Sequence, residues 1–463
     1  MKDYDVIVVG SGSGLNLAYR AVSKNLKVAL VASQYLGGTC MNVGCVPSKT
    51  LLYAADLATQ IRDARRLGVD SHVMSIDFPA IMERMRQTRN RGVAFIRDDL
   101  KGTENLDFYE SEGRFVDNYT IETEEERIRG SKVFIASGAR PAIPPIKGLS
   151  DVPYLTNESV LDLKKPPQSI VIVGGSYIGL EYAHFFAAVG SAVSVVEYSD
   201  RFLTFEEPEI SALIEKSMKM RMKIYPGHEA LSVSKSGNGV LLAARNRKTG
   251  EEKAVEAETL LVAAGRTSNA TRLNVERTGV ALTPAGFIRV NDYLETSKND
   301  IWALGDATGR AMFTHAADHE VGVLWHNVLK GDTNKEDRIE MNFDAVPHAV
   351  FTMPQIASVG LTEEAAGKNH DILVGVARYA DIAQGDVRLE EEGFAKAIVE
   401  KGTERILGFH IIGPEASNLI QEVVNVVARR DSYRIITESM HIFPALSELI
   451  PETLNRLEEK ARS

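Results

Sequence analysis

Apolar residues run almost unbroken through Tyr4-Asp5-Val6-Ile7-Val8-Val9, stop at a glycine cluster, and return as Val28-Ala29-Leu30-Val31 after a helix-compatible stretch from Leu15 to Ser23. Such a run, turn, helix and second run spell a βαβ unit. The same grammar recurs in Ser169-Ile170-Val171-Ile172-Val173, a second glycine cluster, a helix expected from about Ile178 to Ala188, and Ala192-Val193-Ser194-Val195-Val196. Two nucleotide-binding units are therefore expected in one chain.

Between them, amphipathic spacing predicts helices from about Ser48 to Arg65 and from Phe78 to Leu100, and the charged segment Glu122 to Arg129 reads as a hairpin or loop. Pro141, Pro144 and Pro145 punctuate the exit from the first unit. Two later runs, Thr259 to Arg266 and Asp300 to Asp306, read as buried strands ending in glycine turns, each returning the chain to a parallel sheet. From about Pro347 the pattern changes to short strands (Ala349 to Thr352, Phe394 to Val399, Ile406 to Ile412) followed by a helix from Ser417 to Arg430. That reads as an α+β module in place of a third nucleotide fold.

At 463 residues the chain exceeds one core, and roughly one domain per 150 residues suggests about three. The expected boundaries are 1–148 for the first nucleotide domain, 149–268 for the second, 269–340 for a return to the first, and 341–463 for the C-terminal module. A net charge of -10 with no basic cluster excludes a nucleic-acid footprint. No run of about 18 apolar residues predicts a membrane span, and the strand-like start does not resemble a signal peptide, so a cytoplasmic location is expected.

Gly10-Ser11-Gly12-Ser13-Gly14 stands between a strand and a helix, where glycines let the backbone approach a pyrophosphate at a positive helix end. Leu15 replaces the third glycine of that fingerprint, and Ala32 replaces the acidic residue expected after the second strand. The second cluster, Gly174-Gly175-Ser176-Tyr177-Ile178-Gly179, has Ser176 at the middle position but keeps its acid in Glu197. A carboxylate there bonds the 2′-hydroxyl of NAD and repels the phosphate of NADP, so NAD(H) is expected over NADP(H), with Arg201 the one nearby cation that could swing toward a phosphate.

The chain has two cysteines, and they sit five apart in Cys40-Met41-Asn42-Val43-Gly44-Cys45-Val46-Pro47-Ser48-Lys49. In a reducing compartment a close pair is more often catalytic or metal-binding than a staple. A metal would need further ligands, and the ten histidines show no short-spaced cluster, so none is expected. A regular helix would separate these side chains, so a disulfide needs a distorted turn, which Gly44 can supply. Pro47 suits the first turn of a following helix, which puts Cys45 at the positive end of the dipole, with Lys49 one turn on adding charge that favours thiolate.

The stretch from Gly37 to Lys49 resembles the active-site signature of the flavoprotein pyridine nucleotide-disulfide oxidoreductases. Ala136-Ser137-Gly138-Ala139-Arg140-Pro141, Ala264-Gly265-Arg266 and Ala303-Leu304-Gly305-Asp306 resemble that family's other FAD and NAD segments, and Phe351 to Glu363 resembles the start of its dimer-forming domain. The resemblance implies an α/β protein with two Rossmann-like dinucleotide-binding domains, for FAD and NAD, and a C-terminal α+β dimerisation domain that makes a homodimer. It implies that Cys45 is the charge-transfer thiol beside the flavin and Cys40 the interchange thiol. Lys49 and Glu181 match an ion pair beside the flavin, Tyr177 a gate over the nicotinamide pocket, and Asp306 the residue on the flavin's ribitol chain. Gly38, Thr39, Gly305 and His315 join the cofactor-binding set.

One departure bears on chemistry. The family's C-terminal His-Pro-Thr-x-x-Glu pattern supplies an acid-base histidine held by a glutamate, and here the segment is His441-Ile442-Phe443-Pro444-Ala445-Leu446-Ser447-Glu448. Glu448 is in place, but Phe443 stands where the base should be, and losing such a group typically costs on the order of 10²- to 10⁴-fold in proton transfer. Three outcomes stay open: His441 serves as a surrogate, the substrate has an acidic leaving thiol, or electrons leave the flavin for a quinone or another acceptor. The expected activity is an NADH-linked disulfide oxidoreductase of dihydrolipoamide dehydrogenase type, acting on a small-molecule or lipoyl disulfide. An NAD(P)H-dependent quinone reductase and a non-catalytic flavoprotein subunit are the alternatives. The lack of a C-terminal cysteine pair counts against a mercuric reductase.

Overall fold

The computed structural model describes residues 1–331 and 334–459. They fall into two compact units: Met1–Thr50 with Met82–Ala142 and Gly265–Phe343, and Leu51–Ile81 with Ile143–Ala264 and Asp344–Ser463, whose last four residues lie outside the described range. In this division the chain leaves the first unit after Ala142 and returns to it at Gly265.

In the first unit the strand Lys2–Val9 pairs in parallel with Val28–Val31 on one side and Arg127–Ile135 on the other. Leu106–Tyr109 extends the parallel sheet beyond Val28–Val31, and Ile301–Ala303 joins in parallel at Arg127–Ile135. Val6, Ile7 and Val8 are buried because both faces of this sheet are covered, which is why the sequence shows a continuous apolar run and no alternation. Thr120–Glu122 turns back antiparallel onto Arg127–Ile135, which makes the charged segment a hairpin. The helix Ser13–Val22 buries Leu15, Leu17, Ala18 and Ala21.

The second unit holds a four-stranded parallel sheet in the order Lys223–Tyr225, Ala192–Val196, Ser169–Val173, Thr259–Val262. A three-stranded antiparallel sheet, His228–Ser236, Gly239–Asn246 and Glu252–Ala257, accompanies it. The C-terminal module is a six-stranded antiparallel sheet in which Gln355–Gly360, Ile406–Gly413, Phe394–Glu400 and Ile372–Arg378 lie side by side. The amphipathic helix Ala416–Arg429 buries Ile420, Val423 and Val426 against its core. Two of those strands, Gln355–Gly360 and Ile372–Arg378, were not expected, because small and polar residues interrupt their apolar runs.

Candidate active site

The dithiol segment is built as two helices with a break between them. Gly37 and Gly38, both at positive φ, turn the chain into the helix Gly38–Val43, and Gly44 ends it before the helix Cys45–Asp63 begins. A Cβ on Gly44 would stand 2.9 Å from the Thr39 carbonyl oxygen and 3.2 Å from Cys40 Cα, so glycine is what lets the second helix start fold back on Cys40. Buried Asn42 pins the turn by donating to the carbonyls of Leu36 at 2.8 Å and Gly38 at 2.9 Å. Sequence reasoning passed over Asn42; a polar residue among apolar neighbours in the motif was its signal.

Both cysteines are free thiols, Cys40 half-buried and Cys45 exposed. Their environments split them. The hydrogen bond from the Cys40 thiol, with help from Thr314 and the charge of Lys49, pulls Cys45 down to about 6 against the opposing effect of burial. Donating that bond, being buried and lying beside the resulting negative charge push Cys40 up. The pair thus holds one proton and one charge, on different sulfurs, at neutral pH.

Around Gly10 the same unit makes a cradle. Gly10 sits at φ +111°, and a Cβ there would overlap the Ala136 carbonyl. Gly12 and Gly38 approach so closely that a Cβ on Gly38 would be 2.6 Å from Gly12 Cα. Gly14 packs its helix on Val8 and Ala136, the close helix-strand contact that the absent third glycine would make, so Leu15 is accommodated in the core. Ala32 follows the last residue of its strand and offers no carboxylate.

Further along this unit, Gly138, Gly265 and Gly305 all turn at positive φ. Arg266 Nε lies 3.5 Å from the Asp306 carboxylate, an ion pair that leaves Nε without a hydrogen bond, and burial raises the Asp306 carboxyl. Ser137 Oγ and Glu320 Oε1 are also buried without a hydrogen-bond partner. Glu320, fully buried on the helix Thr314–Leu324, accepts from the Gly305 N–H and is lifted to about 7 by burial. His315 stacks on Phe313, and Thr39 and Lys49 belong to the dithiol helices. A glycine cradle plus unsatisfied buried polar atoms beyond it fits a dinucleotide with a long polar arm. Glu320 was missed in the sequence, where Asp318 and His319 just before it give it the look of a solvated face.

The second unit repeats the cradle. Gly174 is at φ +119°, and Cβ atoms on Gly174 and Gly179 would overlap the carbonyls of Ala263 and Gly174. Glu197 accepts from Gly175 N at 2.5 Å and Ser199 N at 2.7 Å, so its carboxylate is held in place. Arg201 is tied down instead of free to swing, donating to the carbonyls of Thr204 at 2.9 Å and Glu206 at 3.1 Å. Tyr177 and Ile178 open the helix Tyr177–Ala188. Glu181 on that helix is 4% exposed and accepts from Phe351 N at 3.1 Å, so it is no surface charge.

At the C-terminal end Phe443 is 74% exposed, beside exposed Met440 and Ile442. Glu448 accepts from Ala445 N at 3.0 Å. His441 Nε2 lies 3.0 Å from Glu422 and its Nδ1 3.1 Å from the Ser439 carbonyl, so both ring nitrogens have partners near them. Among the described residues, the three carboxylates of Glu207, Glu209 and Glu363 that come within metal-ligand range of one another enclose the ammonium of buried Lys396, at 2.7, 3.1 and 2.7 Å. No helix among the described residues is long and apolar enough to cross a membrane.

Two parallel-sheet cradles and a polarised dithiol define a class, the nucleotide-linked thiol redox enzymes. The family described as pyridine nucleotide-disulphide oxidoreductase matches residues 4–320, and its dimerisation domain matches residues 346–454. The chain belongs to this family, which is FAD-dependent and uses a pyridine nucleotide. It is 34% identical to mycothione reductase of Mycobacterium tuberculosis over 98% of this chain and 99% of that one. It is 31% identical to dihydrolipoyl dehydrogenase of Bacillus subtilis over 99% of both. Among solved structures, the Cu(II) complex of the HOCl-induced flavoprotein disulfide reductase RclA from Escherichia coli superposes with a TM-score of 0.84 at 28% identity, over 98% of this chain and 99% of that one.

Proposed function

We propose that this chain is an NADH-linked, FAD-dependent disulfide oxidoreductase that works as a homodimer through its C-terminal module. The observation that carries the reading is the dithiol itself, with Cys40 and Cys45 on either side of the helix break at Gly44, Cys45 opening the following helix 3.6 Å from the Thr314 hydroxyl, in surroundings that favour charge on Cys45. FAD, when bound, supplies the two-electron chemistry between nicotinamide and sulfur. The cradle at Gly10, Gly12, Gly14 and Gly38 would hold its pyrophosphate, and Ser137, Asp306 and Arg266 its polar arm. The cradle at Gly174 to Gly179 would hold the nicotinamide nucleotide. Glu197, fixed by two backbone N–H groups, favours NADH, and Arg201 is already occupied.

In the disulfide half-reaction Cys40, its proton lost to solvent, attacks one sulfur of the substrate, the S–S bond breaks, and the leaving thiolate departs. The Cys45 thiolate then attacks the Cys40 sulfur, closing the Cys40–Cys45 bond and releasing the second thiolate, which takes its proton from solvent. Phe443 can neither accept the Cys40 proton nor give one to the leaving group, and His441 has its ring nitrogens beside Glu422 and the Ser439 carbonyl. The departing sulfur therefore leaves unassisted, which favours disulfides of acidic thiols over dihydrolipoyl substrates. A chain kept only as a scaffold would have no use for a poised thiolate.

A second reading is favoured by the exposed apolar tip of Met440, Ile442 and Phe443: electrons pass to an acceptor that needs no proton donor, such as a quinone. A mercuric reductase and a Cu(II) complex stand among the proteins this chain resembles, which supports including metal ions among the acceptors to be tried. Anaerobic titration with NADH and NADPH, followed by reoxidation with disulfides, quinones and metal ions, tests both. Cys40→Ser is expected to abolish turnover with disulfides; full turnover in that variant would overturn the first reading in favour of the second.

A further inference from the structure

The hydroxyl of Thr314 stands 3.6 Å from Cys45 Sγ and also reaches the Cys40 thiol. Thr314 opens the 11-residue helix Thr314–Leu324, with Phe313 extended ahead of it, so its side chain leaves from the helix's positive end. Cys45 in turn opens the helix Cys45–Asp63. The sulfur therefore lies where two helix starts meet, and both dipoles favour negative charge there. A β-branched side chain has few χ1 choices, so the hydroxyl is held on this line with little entropy left to lose.

We infer that Thr314 is a positioning residue that stabilises the thiolate of Cys45: its O–H donates to Cys45 Sγ, which then receives two donors, one from Cys40 and one from the helix Thr314–Leu324. The inference rests on the reading above in which Cys45 is the sulfur that serves the flavin. The titratable groups acting on Cys45 are Cys40 from the helix Gly38–Val43 and Lys49 from its own helix. The third helix brings a hydroxyl, with His315 beside it stacked on Phe313. A threonine hydroxyl does not titrate in the working range, so this donor acts at every pH at which the enzyme runs. The Cys45 thiolate is thereby supported within one unit of the fold, without an imidazole from the C-terminal segment.

The test uses the flavin-loaded full chain with Cys40→Ser, which leaves Cys45 as the single thiol, and follows its alkylation by iodoacetamide from about pH 5 to pH 9. Because a donor stabilises thiolate, removing it moves the midpoint upward. Thr314→Val is expected to raise it by about 0.5–1 pH unit, the size of one hydrogen bond to sulfur. Thr314→Ser is expected to restore the parent profile, and Thr314→Ala to repeat the valine result if valine disturbs flavin retention. Profiles of the valine and alanine variants that superimpose on the parent, or a serine variant that behaves like valine, would overturn the inference. Alkylation needs no turnover. Failure of NADH to bleach the flavin would thus sink the proposed reaction while leaving the Thr314 profile interpretable.

Discussion

The two glycine cradles share one backbone plan and differ in what surrounds it. In the first, Gly10 N bonds Val31 O at 2.8 Å and Ala136 N bonds Val9 O at 2.8 Å; in the second, Gly174 N bonds Val196 O at 2.9 Å and Ala263 N bonds Val173 O at 2.8 Å. The first lacks a carboxylate after its second strand but gains Gly38 from a neighbouring turn, and Ser137, Arg266 and Asp306 from later segments. The second relies on one carboxylate, Glu197, locked by two N–H groups. A nucleotide retained through turnover can be gripped at many points along its length, and no single contact decides its identity. One that exchanges every cycle must bind weakly enough to leave, so its selection falls to one reader at the ribose.

Breaking the first cradle has the largest expected effect. Gly10→Ala puts a Cβ on the Ala136 carbonyl at φ +111°, and the protein is expected to purify without flavin and with stability lowered by about 3 kcal/mol or more, read from the flavin-to-protein ratio and urea unfolding. Gly179→Ala places the same kind of overlap on the Gly174 carbonyl. Flavin is expected to stay while KM for NADH rises about tenfold or more; loss of flavin here would erase the distinction between the cradles. Glu197→Gln, which keeps the shape and removes the charge, is expected to shift the NADH-to-NADPH ratio of kcat/KM by about 10-fold toward NADPH. The smallest effect is a gain: Ala32→Glu restores the missing carboxylate, and flavin release is expected to slow by about 3-fold, the worth of one added hydrogen bond. A large gain would mean that the first cradle also depends on a single reader.

The pH response sharpens the contrast between the two sulfurs. With Cys45 drawn down to about 6, its thiolate, read from long-wavelength absorbance of the oxidised Cys40→Ser flavoprotein, is expected to form as pH rises through that region and to vanish below it. Serine can replace the Cys40 donor, so the midpoint is expected to stay below that of an ordinary thiol.

Much of this was readable one residue at a time. The βαβ units announce themselves because a strand buried on both faces must be continuously apolar, and Gly10 and Gly174 because no other residue tolerates their φ beside a carbonyl. The five-residue cysteine spacing with Gly44 and Pro47 implied a broken helix, and the break stands at Gly44. What surrounds His441 is something spacing cannot show: Glu422, nineteen residues away, and the Ser439 carbonyl lie beside its two ring nitrogens.

By itself, then, the order of residues determined the strands, the turns and the presence of a redox pair, because periodicity, backbone freedom and helix polarity act over a few neighbours. Tertiary structure alone brought the Thr314 hydroxyl to Cys45, from 269 positions further along the chain. It also decided that Lys396 would fill a ring of three glutamates and that Glu320 would be buried and hard to ionise. Electrostatic energy depends on distance through space and on exclusion of water, and neither quantity is written in sequence separation.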